Sequence, residues 1–500
     1  MNVAYINSPD FSFFSDAKLQ LDKIITQLQS AGYANFEHRE IEQYIKNEGN
    51  EVLRLLFQGY LDQKADDEVR QPFVTSATGE ILNHVKVNTT RKLTTLFGIV
   101  TVTRIRYNQR RQSSQFPLDA CLNLAKDQYS AGVRDRVARE AIRGSYDDVV
   151  ETIKHTTGCY VPKRQCLNLV QDIAQDFESF YQQNQFWKPE VTTDILAITG
   201  DGKGIVMLPD SLRECTKKAA KNNKKLNSRL SQGEKKDRKR MAQVMSVYTV
   251  LPHSHSPGSV MKINDDENDN VQEFRAPARN KRVWASVERD TEVVIEEAFE
   301  EALRRDPEQK RPRVVLIDGL PHQIRLIVRI AKRLQVTVTI VMDFIHVLEY
   351  LWKAAWCFYE KGDSAVEECV AERAVKILHG KCNQVAKGIR ISATKRDITR
   401  TEGVEKCANY LLKNKSRLKY DEGLAAGFPI ASGVIEGACR HLINDRLDTT
   451  GARWSLQGAE SILKLQSLKS SGDFEDYWAF HKPQSKLRCH SGFQFGDVSE

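Results

Sequence analysis

The chain has 500 residues, 41% hydrophobic and 28% charged, which is the composition of a globular protein of roughly two to four domains. No apolar run approaches the ~20 residues needed to cross a bilayer, so a helical membrane protein is excluded and no membrane partner is expected. The formal net charge of +8 is modest for this length and matters because it is unevenly spread.

The first stretch, MNVAYINSPDFSFF, lacks a basic segment followed by an apolar core, so it is read as no signal peptide and the chain as cytoplasmic. Leu19, Ile24, Ile25 and Leu28, then Ile41, Ile45, Val52, Leu55 and Leu56, recur at helical spacing and predict helices over 15–65. Residues 84–107 switch to alternation. Leu93 and Leu96 precede Gly98, and Val100, Val102, Ile105 and Tyr107 follow it, which predicts a β-hairpin turning near Phe97-Gly98. Arg91, Lys92, Arg104, Arg106, Arg110 and Arg111 lie on or beside it. A basic hairpin can follow a phosphate backbone; a sheet edge guarded by charge gives the same pattern.

Residues 131–181 read as short consecutive helices. Ser145 can cap one, Gly158 supplies a tight turn and Pro162 starts the next. Lys163, Arg164 and Gln165 open that second helix, as in a helix-turn-helix, where this position reads base edges. An ordinary helical hairpin is the alternative. Ten cysteines are scattered without a Cys-x-x-Cys pair. His155, Cys159 and Cys166 lack a fourth ligand and a regular spacing, so zinc is not assigned there and the cysteines are read as reduced and mostly in the core.

After a linker at 182–189 the pattern becomes α/β. DILAITGD reads as a strand ending in Asp201, MAQVMSVYTVLP as a second and KRVWASVE as a third. A helix over 290–305 follows, then the buried strand RVVLIDG ending in Asp318, a helix from HQIRLIVRIAKRL, and the strand QVTVTIVMD ending in Asp343. Helices run from Phe344 towards residue 425. Residues 213–240 hold twelve Lys or Arg against three acids, a phosphate-seeking segment in which Lys235, Lys236 and Arg238 are the candidate DNA contacts; a solvated helix is the plainer reading. Residues 264–273 form an acidic surface loop.

The last informative run is FPIASGVIEGACRHLINDRLDTTGARW. Ser432 can cap a helix whose apolar face holds Val434, Ile435, Ala438, Cys439, Leu442, Ile443 and Leu447. Glu436 falls at the edge of that face, where an acid marks either a site or an ion pair with Arg440, one turn on. Asp445 and Arg446 fall on the apolar face if the helix continues, so the alternative is an end near Asn444.

Each strand-end acid alone is weak, because Asp-Gly is also a turn pair. Their order is stronger. Three strands, helix, strand, helix, strand and a late helix with an acid is the chain order of a ribonuclease H-like fold, in which the first and fourth strands are neighbours. Strands lie about 4.8 Å apart, so Asp201 and Asp318 can share metal, while Asp343 on the fifth strand stands about 10 Å from the first. Carboxylates are ionised at neutral pH and suit Mg²⁺, and two such ions can serve both ends of an in-line displacement at phosphorus.

The sequence resembles the bacterial insertion-sequence DDE transposases of the Kra group, cousins of the Mutator-like elements. The resemblance rests on DGKG at Asp201, KRMAQVMSVYTV at Lys239, NKRVWASVE at Asn280, VVLIDG ending at Gly319, MDFIHVLEYLWKAAW at Met342, GVIEGACRHLINDRLDTTGARW at Gly433 and GDFEDYWAFH at Gly472. It runs from about the hairpin to the carboxyl end and leaves residues before 80 without a role. It implies Asp201, Asp318 and Glu436 as the catalytic, metal-holding triad, with two Mg²⁺ ions or Mn²⁺ in their place. It implies Asp343 and His346 as a supporting pair, with a buried Asp–His hydrogen bond as the plain alternative, and leaves Arg440 as a phosphate contact or support. Trp352, Trp356 and Tyr359 are assigned to the core of an all-α insertion.

The domains expected are a helical region at 1–80, a hairpin and helix-turn-helix DNA-binding region at 81–188, an α/β ribonuclease H-like core at 189–349, the insertion at 350–425, and the rest of the core with a tail at 426–500. The partners expected are transposon-end and target DNA and a second copy of the chain, at least a dimer on DNA, in a bacterial cytoplasm at the nucleoid. A nuclease of the same fold without strand transfer and a non-catalytic DNA-binding regulator are the rival readings.

Overall fold

The computed structural model describes residues 12–33, 35–76, 78–183, 189–222, 236–261, 277–360, 362–398, 401–431, 433–449 and 451–490. The chain divides into two compact units. One joins the residues up to Gln182 to those from Glu475 onward, and the other spans Gln183–Phe474. Among the described residues no helix is long and apolar enough to cross a membrane.

In the first unit the helices Ser15–Leu28 and His38–Asp66 pack together. Glu37 and Glu40 form a capping box at the start of the longer one, answering amide groups that have no partner in a first turn. β1 (Val74–Thr75) pairs with β2 (Ile81–Leu82), and β3 (His84–Thr95) with β4 (Gly98–Asn108). The long hairpin turns at Leu96-Phe97, as expected. Its register slips between Lys86 and Thr89, where Asn88 has a φ of 53°. A bulge re-aims side chains, and β4 serves two clusters: Val100 and Val102 with Leu61, Leu93 and Leu118, then Ile105 and Tyr107 with Val74 and Leu82.

Arg104 continues the inward set of Val100 and Val102 and is only 8% exposed. Its guanidinium lies 3.9 Å from the Phe116 ring centre and donates to both oxygens of Asp119, at 2.7 and 2.6 Å; Arg91 reaches the same carboxylate at 3.1 Å. The expectation of Arg104 on a phosphate backbone is corrected here, because a buried cation needs a fixed counter-charge and this one has it. Arg106 is half-buried.

The helices Ala131–Ala141, Tyr146–Thr157 and Lys163–Ala174 pack pairwise. Ser145 and Asp148 form a reciprocal cap, Gly158 adopts a φ of 65°, and Pro162 precedes the last helix. Lys163 and Arg164 are exposed and Gln165 is half-buried; Lys163 pairs with Asp147 at 2.6 Å. Cys159 and Cys166 are buried, and the Cys166 thiol donates to the Val161 carbonyl at 3.5 Å. Residues 475–490 of the last helix, Phe474–His490, belong to this unit rather than to the α/β region with which the sequence grouped them. The Tyr477 hydroxyl donates to the Ile173 carbonyl. Asp176 accepts from Arg488 at 2.5 and 2.9 Å and lies 2.7 Å from His481 Nδ1.

The second unit is built on β5 (Ile195–Val206), β6 (Lys239–Val250), β7 (Arg279–Ser286), β8 (Arg313–Ile317) and β9 (Thr339–Met342), in the spatial order β7-β6-β5-β8-β9. β6 runs antiparallel to both neighbours, while β5, β8 and β9 are parallel. The first and fourth strands of this unit are therefore neighbours, with the fifth beyond, as the chain order predicts. The Thr291–Arg305 helix packs on β5 and β6, and Leu456–Ser471 packs on β7.

Among the described residues five α-helices separate β9 from the acid-bearing helix: Phe344–Ala355, Ala365–Leu378, Cys382–Lys395, Glu402–Lys413 and Tyr420–Ala425. Trp356 is 42% exposed, a correction to its place in the core: it caps the end of Phe344–Ala355, past the packed face. Of the basic segment, the helix Glu214–Asn222 is described, while Lys235, the Lys236 side chain and the acidic loop at 264–273 lie outside the described residues. Arg238 is half-buried at the start of β6, and its carbonyl accepts from the Met207 amide at 2.9 Å.

Candidate active site

Asp201 does not end its strand, as the Asp-Gly pair led one to expect. β6 pairs with β5 over its whole length, from Ile195 opposite Val250 to Val206 opposite Lys239, and carries it through the DGKG run. A side chain at Gly200 would start 2.5 Å from the Met245 sulfur, so a neighbouring strand fills the space the glycine leaves. Asp201 alternates with these glycines and faces the other way.

The parallel register then levels the acids. Thr199 pairs with Leu316, and two residues further along each strand come Asp201 and Asp318. Ile317 pairs with Met342, and the next residues are Asp318 and Asp343. Gly319 turns the chain at a φ of 93°, where a Cβ would lie 2.2 Å from the Met342 methyl group. Asp343 is buried and caps the Phe344–Ala355 helix, accepting from the Ile345 amide at 2.9 Å.

The helix Gly433–Cys439 packs on β5 and β6 and supplies Glu436. Ser432, its expected cap, lies outside the described residues. Ile435, Ala438 and Cys439 face inward, while Glu436 is exposed rather than wedged at a core edge. Nor does it pair with Arg440, whose Nε lies 3.6 Å from Asp445. The helix does not end at Asn444. It widens to π geometry over Arg440–Asn444 and resumes over Asp445–Leu447. The extra residue per turn leaves Asp445 outside and Arg446 inside, 3% exposed, with its guanidinium 4.8 Å from the Trp454 ring centre. Trp454 is tied to the end of β5: its amide donates to the Val206 carbonyl at 3.1 Å, and its own carbonyl accepts from Leu208 at 2.7 Å. The GARW run thus anchors the acid-bearing helix to the strand that carries Asp201.

The acids sense one another. Burial, then the charge of Asp201, pushes the Asp318 carboxyl up to about 6, against the pull of His346. Burial and the charges of Asp343, Glu349 and Asp201 raise Glu436, again against His346. No lysine or arginine is among the groups that act most strongly on either. Among the described residues no three His, Cys, Asp or Glu side chains converge tightly enough to grip a metal ion. The donor set still fits a hard divalent cation: carboxylate oxygens, with Asp201 and Asp318 level across adjacent strands.

His346 is partly exposed, with Nδ1 3.9 Å from Glu349, and its ring lies 5.8 Å from Tyr350 and 6.5 Å from Tyr410. Three neighbours escaped the sequence reading as site residues. Cys439 Sγ lies 3.3 Å from Asp201 Oδ2, Gln243 Nε2 donates to the Asp201 carbonyl at 3.0 Å, and the Tyr410 hydroxyl donates to the Asp318 carbonyl at 3.2 Å. Cys439 was readable in principle, three residues after Glu436 on one helix face. Tyr410, stacked on Tyr350 at 4.1 Å, comes from a distant helix with no local signal. Neither a protein-family model nor a curated protein matches this chain.

Proposed function

We propose that the chain is a DDE-type DNA transposase with a ribonuclease H-like core, akin to the insertion-sequence enzymes of the Kra group. What carries this reading is the level placement of Asp201 and Asp318 on adjacent parallel strands, with Glu436 on a helix packed over β5 and β6 and no basic side chain dominating the field around them.

In this reading Asp201, Asp318 and Glu436 would hold two Mg²⁺ ions, with Mn²⁺ as a substitute. Such ions, when bound, supply an activated water or hydroxyl and neutralise the leaving oxygen of a phosphodiester. Asp343 holds the start of its helix and adds negative charge beside Asp318 and Glu436. His346 offsets part of that charge, and Arg440, exposed on the acid-bearing helix, is a phosphate contact for the incoming strand. Lys163, Arg164 and Gln165 open the second helix of a helix-turn-helix that reads the element's terminal inverted repeats. The basic stretch containing Lys235, Lys236 and Arg238 adds sequence-independent attraction. Cutting both ends requires two of them in one assembly, so the active form is at least a dimer on DNA.

The test is an end-cleavage and joining reaction with the purified chain, Mg²⁺ and duplexes carrying the inverted repeats that flank its coding sequence. Cut ends with a free 3′-hydroxyl and a joined product are expected. Cutting without joining would make it a nuclease; binding without cutting would make it a regulator.

A further inference from the structure

We propose that Cys439 is a positioning residue for Asp201, delivered by the helix that also carries Glu436; the proposal rests on reading these acids as a metal-holding set. Asp201 is held at three points. Its Oδ1 accepts from the Gly202 amide at 2.6 Å, its Oδ2 lies 3.3 Å from Cys439 Sγ, and its backbone carbonyl accepts from Gln243 at 3.0 Å. A thiol beside a carboxylate oxygen donates to it. One proton on each oxygen fixes the plane of the carboxylate and leaves each oxygen a lone pair for a cation.

The helix geometry explains the choice of residue. Positions three apart lie on one face, so whatever seats Cys439 against Asp201 also sets where Glu436 stands. The donor has to sit within the helix's packed side, where Cys439 is 4% exposed beside Ile435 and Ala438. Cysteine is the side chain that packs there as a small apolar group and still carries a proton to give. The first and third acids are thereby coupled through one contact, although Asp201 and Glu436 lie 235 residues apart in the chain.

The experiment uses the full chain and its variants Cys439→Ala and Cys439→Ser. Mn²⁺ binding is titrated by electron paramagnetic resonance without DNA, and the Mg²⁺ dependence of end cleavage is measured in parallel. Cys439→Ala is expected to weaken Mn²⁺ binding about tenfold, the low end for removal of a partner behind a metal ligand. It should raise the Mg²⁺ concentration for half-maximal cleavage to match, with the rate at saturating Mg²⁺ little changed. Cys439→Ser, which keeps a donor, should restore both. Wild-type Mn²⁺ affinity in Cys439→Ala, or equal losses in the Ala and Ser variants, would overturn the role of Cys439. Asp201→Ala separates the two ideas: if it too binds Mn²⁺ like wild type, the metal-site reading itself fails.

Discussion

The two ends of the five-stranded sheet treat their acids in opposite ways. At the amino end of β5, Glu301 lies between Arg282 and Arg305, at 2.5 and 2.8 Å, and also meets Arg304. Glu190 receives Arg311 at 2.7 Å and Arg305 at 3.4 Å, and Asp306 receives Arg313 at 2.5 Å. Attraction outweighs burial there: the arginines hold Glu301 down to about 2. Where β8 and β9 end, burial and the neighbouring carboxylates push Asp318 and Glu436 upward instead. The same residue types make a rivet at one end and an unbalanced negative field at the other. A chain that can place arginines this well has left the second end open, which is the physical case for a cation or a phosphate-bound cation there.

The sharpest way to break this contrast is to remove one acid from each end. Asp201→Ala should lower end cleavage about a thousandfold or more while leaving the melting temperature unchanged or raised, because it removes repulsion. A large loss of stability would show Asp201 to be structural. Glu301→Gln should do the reverse, destabilising the second unit by about 3–5 kcal/mol in urea unfolding, because it strands buried arginines. An unchanged midpoint would mean that the arginine cluster is not a rivet.

Divalent cation gives a smaller effect. Mg²⁺ or Mn²⁺ at a hundred times its Kd should stabilise the protein by about 2.7 kcal/mol, read as a rise in melting temperature that vanishes in Asp201→Asn. The smallest effect is in pH, and its sign differs between the ends. Glu301 is held below its ordinary 4.5, so its contribution is fully present above that value and is lost as pH falls towards 2. Asp318 is raised from 3.8 to about 6, so between those values the folded state binds the extra proton and stability falls as pH rises. Glu301→Gln should flatten the acid limb of a stability–pH curve, and Asp318→Asn the limb from about 4 to 6. Equal curves for wild type and Asp318→Asn would remove the electrostatic case for the open end.

Much of this arrangement was legible in the chain. The runs ending in Asp201, Asp318 and Asp343 were read as strands, and the order of elements predicted that β8 would lie beside β5. The strand end at Asp201 was misplaced because pairing with β6, not the local glycines, decides how far β5 runs. Arg104 was misread because a basic residue on a hairpin carries no mark of which face its strand presents, and Asp119 lies fifteen residues on. Asp445 and Arg446 were a puzzle at 100° per residue because a single π turn changes the angle, and no residue type announces one. Tyr410 was out of reach because only the folded helices bring it to the Asp318 carbonyl.

The helix that closes the first unit is made after the whole of the second. Asp176 finds His481 and Arg488 only after the whole of Gln183–Phe474 has been made. At ordinary translation rates that is a wait of roughly 15–60 s. During that time the amino-terminal unit stands on the ribosome without its closing helix. A chain terminated before this helix would therefore have an unfinished amino-terminal unit. The chain order in effect makes synthesis through Arg488 a condition for finishing the amino-terminal unit.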